Sequence, residues 1–225
     1  GRGMYEYDLA ARPSLFDYDG DRKADLSVMR PTDNIWYLLQ TTAGYTGMQW
    51  GVAGDKLAPA DYDGDARTDI AVFRPSEGVW YIFLSDSQAF VSAGWGTAGD
   101  LPVPTDRDND GTTDLVVYRE STNTWYTRSL SAGPLTSTVF GTAGDKPVRG
   151  DFDGDGRGDE AVFRPSNSTW YVLGSAGGFT AITWGQAGDI PAPADFDGDG
   201  STDLAVFRPG TGQWFRSQST AGFDS

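Results

Sequence analysis

The sequence contains no histidine and no cysteine. Their absence removes Ser-His-Asp and Cys-His nucleophilic catalysis, thiol redox chemistry, disulfide cross-links and the usual His/Cys zinc sites. Long apolar runs are missing too, with no stretch of about 18 apolar residues that would cross a membrane as a helix. Basic residues are few, 17 against 32 acidic, for a net charge of −15. Such a surface repels nucleic acid phosphates and anionic lipid, so neither a nucleic acid partner nor membrane insertion is expected. A signal-peptide pattern is absent, and a chain opening Gly1-Arg2-Gly3 reads as a mature or excised form. Glutamate is scarce as well: 28 of the acids are Asp and 4 are Glu. A surface acidic only for solubility would use both, so the bias to the shorter carboxylate has a specific cause.

That cause is a repeat. A nine-residue pattern with Asp at positions 1, 3, 5 and 9 begins at Asp17, Asp61, Asp106, Asp151 and Asp195, at intervals of 44 or 45 residues. Other features keep the same period. An Arg follows each start by 13 residues (Arg30, Arg74, Arg119, Arg164, Arg208) and a Trp by 19 (Trp36, Trp80, Trp125, Trp170, Trp214). Eleven residues before the second to fifth starts lies Trp50, Trp95, Phe140 or Trp184, followed by Gly-x-Ala-Gly-Asp. One unit fills the whole period, so residues 1–225 read as a single domain without a linker.

Gly 30 and Pro 12 punctuate the chain too often for helices. Runs such as Ile70 to Arg74 and Val79 to Leu84, rich in β-branched and aromatic residues, read as strands joined by a tight turn at Pro75 to Gly78. A third strand is expected from Ala89 to Trp95 and a fourth from about Leu101 to Thr105. Four short strands per period match a propeller blade. Residues 1–16 and 195–225 together make about one period. The expectation is therefore an all-β, five-bladed propeller of four-stranded antiparallel blades. Residues 195–225 supply three strands of the last blade, and Met4 to Tyr7 supplies its outermost strand and closes the ring.

Four carboxylates in nine residues repel one another unless a cation gathers them. A hard divalent ion that takes six to eight oxygens suits the pattern, and calcium suits it better than magnesium, which keeps waters and takes few carboxylates. The candidate sites are Asp17, Asp19, Asp21, Lys23 and Asp25; Asp61, Asp63, Asp65, Arg67 and Asp69; Asp106, Asp108, Asp110, Thr112 and Asp114; Asp151, Asp153, Asp155, Arg157 and Asp159; and Asp195, Asp197, Asp199, Ser201 and Asp203. The residue at position 7 would contribute its backbone carbonyl. An EF-hand would need a bidentate Glu at position 12, where this chain has Val28, Val72, Val117, Val162 and Val206. Up to five Ca²⁺ ions would offset most of the net charge. Position 6 is Gly in the last three loops but Arg22 and Ala66 in the first two. If it needs a positive φ, those two loops carry backbone strain.

Asp-x-Asp-Gly-Asp-Gly-x-x-Asp-Leu leading into a Val-Phe-Arg strand resembles the FG-GAP/VCBS repeats, especially the bacterial version with Ala-Val-Phe-Arg-Pro-Ser, Trp-Tyr and Trp-Gly-x-x-Gly-Asp. The resemblance covers essentially the whole chain. It implies calcium in the loops and a secreted, extracellular or cell-surface setting. The sequence departs from the pattern at Arg22, Ala66, Arg107 and Glu160, and in having five units where integrin propellers have seven.

The recurring Arg and Trp could form a sugar-binding set. Residues present in every blade are more simply read as packing, with each Trp in a blade core and each Arg paired with Asp55, Asp100, Asp145 or Asp189. Tyr45, Phe90 and Phe179, on the connecting loops, are better contact candidates. Glu160 stands where other units have Leu or Ile, and reads as a solvated edge rather than a buried acid. The acids outside the repeat show no spacing that pairs them for glycoside hydrolysis, so no enzymatic activity is expected. The leading reading is a binding or adhesion module for a glycan or protein surface. Two others stay open: a module that self-associates in a surface or matrix protein, and an accessory domain of a polysaccharide-active enzyme.

Overall fold

The computed structural model describes residues 16–130, 133 and 135–220. It is all β, with no helix among those residues. Five antiparallel sheets follow one another along the chain. The first holds β1 (Leu26–Arg30), β2 (Ile35–Gln40) and β3 (Gly44–Gln49). The second holds β4 (Lys56–Leu57), β5 (Ile70–Arg74), β6 (Val79–Phe83) and β7 (Phe90–Gly94). The third is β8 (Leu101–Pro102), β9 (Leu115–Arg119), β10 (Thr124–Arg128) and β11 (Thr136–Val139). The fourth is β12 (Lys146–Val148), β13 (Glu160–Arg164), β14 (Thr169–Leu173) and β15 (Phe179–Thr183), and the fifth is β16 (Ile190–Pro191), β17 (Leu204–Arg208) and β18 (Gln213–Ser217). These are the five blades of a propeller.

The hairpins are in register as the alternation requires. In the second blade Ile70 pairs with Phe83 and Arg74 with Val79. The turn residue 17 positions after each start is left-handed in every blade: Asn34 (φ 55), Gly78 (φ 66), Asn123 (φ 52), Ser168 (φ 54) and Gly212 (φ 69). Gly and Asn tolerate that region best, and they fill four of the five positions.

Two features differ from the sequence expectation. The short strand before the second to fifth Asp loops pairs with the strand after it, β8 with β9 for example, so it opens the next blade instead of completing the previous one. The Asp loop is thus the connection inside a blade between its shortest strand and its most buried one. In consequence, residues from 195 onward supply two strands of the last blade among the described residues, not three. The expected closing strand at Met4 to Tyr7 lies outside the described residues.

Packing runs between blades. Trp36 and Leu38 of the first blade cluster with Ile70 and Val72 of the second. Phe73, Trp80 and Ile82 cluster with Leu115 and Val117. Tyr118 and Trp125 meet Val162, and Phe163 and Trp170 meet Leu204 and Val206. Each strand after an Asp loop therefore sends alternate side chains into two interfaces. That explains why β5 and β9 begin as unbroken apolar runs, and why β5, β9 and β13 each start with four buried residues, Glu160 being the one acid among them. Four Trp are buried as expected from the repeat, but Trp214 is 63% exposed because no following blade covers it among the described residues. Arg149, from the fourth blade, donates Nη1 to the Pro59 carbonyl of the second at 3.0 Å. Its guanidinium also lies 5.0 Å from the Phe16 ring centroid. Residues before three different blades thus meet around one axis.

Candidate metal centre

Each Asp loop is held by its own backbone. The position 1 carboxylate accepts the N–H of position 4 through Oδ1 at 2.6–2.7 Å and that of position 6 through Oδ2 at 2.7–3.0 Å. The position 9 carboxylate accepts the N–H of position 2 at 2.7–2.9 Å. This curl needs left-handed backbone twice. Position 4 has φ of 81, 80, 61, 75 and 80° at Gly20, Gly64, Asn109, Gly154 and Gly198. Position 6 has φ of 69, 65, 86, 97 and 92° at Arg22, Ala66, Gly111, Gly156 and Gly200. The strain expected at Arg22 and Ala66 is present in the backbone.

Position 4 also lies under a neighbour. A Cβ on Gly20 would sit 2.7 Å from Nε of Arg67, and one on Gly154 would sit 2.8 Å from Oγ of Ser201. The position 7 side chain of one loop leans over the preceding loop. Adjacent loops are also hydrogen-bonded: the position 8 N–H reaches the position 1 carbonyl of the loop before, in Thr68 to Asp17 (2.6 Å), Thr113 to Asp61 (2.7 Å), Gly158 to Asp106 (2.6 Å) and Thr202 to Asp151 (2.6 Å). Among the described residues no such bond reaches Asp195.

Carboxylate oxygens of positions 1, 3 and 9 converge in the first four loops: Asp17, Asp19 and Asp25; Asp61, Asp63 and Asp69; Asp106, Asp108 and Asp114; Asp151, Asp153 and Asp159. In the fifth loop the group is Asp195, Asp197 and Asp199, all exposed, and Asp203 lies outside it. In each group the ligand atoms lie within 4.8 Å of one another. Oxygens bound at about 2.3–2.6 Å to one ion are separated by no more than about 5 Å, so these groups fit calcium. The hydrogen bonds leave capacity for it, because each carboxylate offers about four lone-pair directions.

Electrostatics point the same way. Burial pushes Asp69 up to about 7, and Asp114 and Asp159 up to about 6. Burial also raises Asp61, Asp63 and Asp106. Desolvated carboxylates packed beside other carboxylates resist ionisation unless a cation joins them. Asp114 adds an orphan, since its Oδ1 is buried without a hydrogen-bond partner. The same atom of Asp25, Asp69, Asp159 and Asp203 accepts a backbone N–H at 2.7 Å. The first loop departs from this pattern. Hydrogen bonds from the Thr41 and Thr42 hydroxyls hold Asp21 down at about 2, and Lys23 sits 3.6 Å from it.

The position 5 side chain lies outside the converging group in the first four loops. In the first, second and fourth loops it is bonded instead to the outer hairpin, where Thr41, Ser85 and Ser175 donate a hydroxyl to Asp21, Asp65 and Asp155, and in the fifth Ser219 donates to Asp199 within the converging group. Sequence reasoning missed these supports. The signal was present as a Ser or Thr 24 residues after each start, broken only by Leu130.

The other candidates resolve as packing. Arg74, Arg119, Arg164 and Arg208 make paired bonds of 2.7–3.0 Å to Asp55, Asp100, Asp145 and Asp189. Each also lies over the aromatic ring of the adjacent strand. Tyr45, Phe90 and Phe179 are exposed but stack on Tyr37, Tyr81 and Tyr171. Glu160 is not a solvated edge: it is buried and pairs with the Arg107 guanidinium, which also donates to the Gly158 carbonyl. Two departures from the repeat thus compensate each other across adjacent blades.

The FG-GAP-like repeat family model matches residues 151–206. No curated protein matches the chain. Among solved structures, a streptogramin B lyase is similar at 10% identity, with TM-score 0.55, 86% of this chain covered and 65% of that one. An inactive virginiamycin B lyase from Staphylococcus aureus with quinupristin is similar at 9% identity, with TM-score 0.58, covering 88% and 64%. A protein of unknown function from Bacteroides caccae is similar at 11% identity, with TM-score 0.52, covering 82% and 65%. The chain spans about two thirds of the length of these structures, and at such identities the likeness is one of fold. The matched segment runs from the fourth Asp loop into β17, and the Asp-loop motif it contains recurs in every blade of the five-bladed propeller.

Proposed function

We propose that the chain is an extracellular recognition propeller whose Asp loops bind calcium, and that it binds a glycan or protein surface without catalysing a reaction. The observation that carries the reading is the convergence of three carboxylates in every one of the five loops. Calcium there would supply charge neutralisation and cross-linking, with Asp at positions 1, 3 and 9 as holders in the first four loops. Extracellular calcium modules work at millimolar-class affinity, and we place the protein in such a secreted or cell-surface setting. Two of the acids outside the repeat are already paired, Glu160 with Arg107 and Glu77 with Arg74 and Tyr81, which supports binding over hydrolysis.

The test is a screen of the calcium-loaded protein against immobilised polysaccharides and extracellular proteins, with a chelated control. Calcium-dependent capture by one class is the expected result. Calcium-dependent oligomers in size-exclusion chromatography, with no capture, would replace this reading with a self-assembling module. Turnover of a polysaccharide would replace it with an enzymatic or accessory role.

A further inference from the structure

Two of the described interfaces between blades are filled on one plan, and the interface between the second and third blades departs from it. Between the first and second blades, Trp50 is clamped by Phe83 and Phe90, with ring centroids 5.6 and 5.7 Å away. Phe90 also stacks on Tyr81 at 6.1 Å. Between the third and fourth, Phe179 fills the same place, 6.4 Å from Phe140 and 6.2 Å from Tyr171. Between the second and third blades the corresponding platform is Trp95 and Tyr126, and both wedge residues are gone. The counterpart of Phe83 is Arg128, and Leu135 stands at the position of Phe90. Leu135 is 66% exposed. Arg128 turns instead to the Gly94 carbonyl, donating Nη1 at 2.8 Å.

At this interface lies a cleft of about 440 Å³ whose lining includes Glu77, Trp95, Arg119, Tyr126 and the glycine backbone at Gly94 and Gly96. Trp95 is fixed across the interface by its indole N–H, which reaches the Tyr126 carbonyl at 3.4 Å. Tyr126 is held by the Arg119 guanidinium 4.4 Å from its ring centroid. Arg119 is itself anchored by two 2.9 Å bonds to Asp100. The platform is therefore rigid before any ligand arrives, which reduces the ordering cost of binding.

We propose that this cleft binds a pyranose residue of a glycan. Its volume falls within the range of small-molecule sites, about 300–1,000 Å³. A pyranose has an apolar C–H face and a rim of hydroxyls. Trp95 and Tyr126 offer aromatic surface for the face, while the Glu77 carboxylate and the Arg119 guanidinium offer an acceptor and donors for the rim. An aromatic peptide side chain would match the missing Phe but would use the ring faces alone, whereas a sugar also meets the outer lone pairs of Glu77, already bonded to Arg74 and Tyr81, and the edge of the Arg119 guanidinium that Asp100 leaves open. The proposal rests on the glycan form of the recognition reading and locates its site.

The test refills the cleft. In Arg128→Phe, the second interface regains the wedge that Phe83 supplies to the first. Calcium-loaded wild type is titrated with chitotetraose, cellotetraose and tetragalacturonate, and with a Phe-containing peptide, while indole N–H resonances are followed by NMR. The expected result is that one of the sugars shifts the Trp95 resonance. Arg128→Phe and Tyr126→Ala should weaken that binding tenfold or more, with calcium stoichiometry unchanged. Tyr171→Ala, in the filled interface, should leave it as it is. Sugar binding that survives Arg128→Phe and leaves Trp95 unshifted would overturn the cleft while preserving the recognition reading. Binding of the peptide alone would replace the sugar with a protein ligand. No binding by any probe, in a protein that captures no polysaccharide either, would overturn both.

Discussion

At the scale of single residues, the loops turn on position 6. All five are left-handed there, yet two carry a side chain. A Cβ in that region costs about 1 kcal/mol or more, and Arg22 adds a cation to a loop that Lys23 and the overhanging Arg67 already crowd. The loops at Asp106 and Asp151 should bind calcium most tightly, Asp61 next and Asp17 last. Asp195, whose sequence places it with the best, loses ground because its converging group is exposed and lacks Asp203. Arg22→Gly should tighten the first site about tenfold, since about 1.4 kcal/mol is tenfold, and Gly156→Arg should weaken the fourth. Calorimetric titration reads both changes; an unaltered weakest class of sites in Arg22→Gly would rule out control by position 6. Position 6 was legible in the sequence because glycine at a fixed place in a motif has a backbone meaning. The Arg107–Glu160 pair was not, because two departures 53 residues apart say nothing of proximity until the blades are stacked.

The raised acids give a pH signature. Asp69, Asp114 and Asp159 hold protons in the folded, calcium-free protein up to about 6 or 7, whereas in the unfolded chain they lose them near about 4. Between those values the folded state binds more protons, so stability falls as pH rises. Calcium-free protein should therefore melt higher at pH 5 than at pH 7.5, judged on these groups. Calcium affinity should change in the opposite sense, because ligands must be deprotonated. Melting curves at both pH values, with calcium and with chelator, check both signs.

At the scale of the blade, the recurring Arg and Asp act as a brace from the strand to the loop before it. Asp145 is fully buried, and it accepts the Thr142 N–H as well as two bonds from Arg164. Asp145→Ala should cost about 2–4 kcal/mol, because it leaves a partly buried guanidinium and an amide without partners. Among the described residues Arg30 has no such Asp; it donates to the Tyr37 hydroxyl at 2.7 Å and meets the more exposed Asp33 at 3.4 Å, so Asp33→Ala should cost about 1 kcal/mol or less. Urea unfolding of the two variants measures the contrast. The strands and their hairpins were readable from period-2 alternation and turn residues. Which sheet the two-residue strands join was not, since Lys56–Leu57 and Leu101–Pro102 are too short to carry a pattern.

At the scale of the whole molecule, the repeat predicted five blades, and the interfaces bear that out four times. The two outer faces are different. Leu26 and Val28, whose counterparts are buried in the second and third blades, are 71% and 65% exposed. Trp214 is the matching uncovered residue on the fifth blade. The sequence expects residues 1–10 to take part in closure there. Deleting them should produce aggregation or early melting, and unchanged behaviour of the truncated protein would favour an open array.

Calcium binding by the loops is the central claim, and chelation tests it most directly. At about twenty times the dissociation constant each site adds about 1.8 kcal/mol, and five add about 9 kcal/mol, within the range of a domain's whole stability. The loops are hydrogen-bonded in series from Asp17 to Thr202, so their ions should stabilise the blades together. The measurement is the melting temperature in excess calcium and in excess EDTA. The melting temperature should fall on the order of 20 °C on chelation and be restored by calcium, less well by magnesium. A melting curve unchanged by EDTA would contradict calcium binding by the loops.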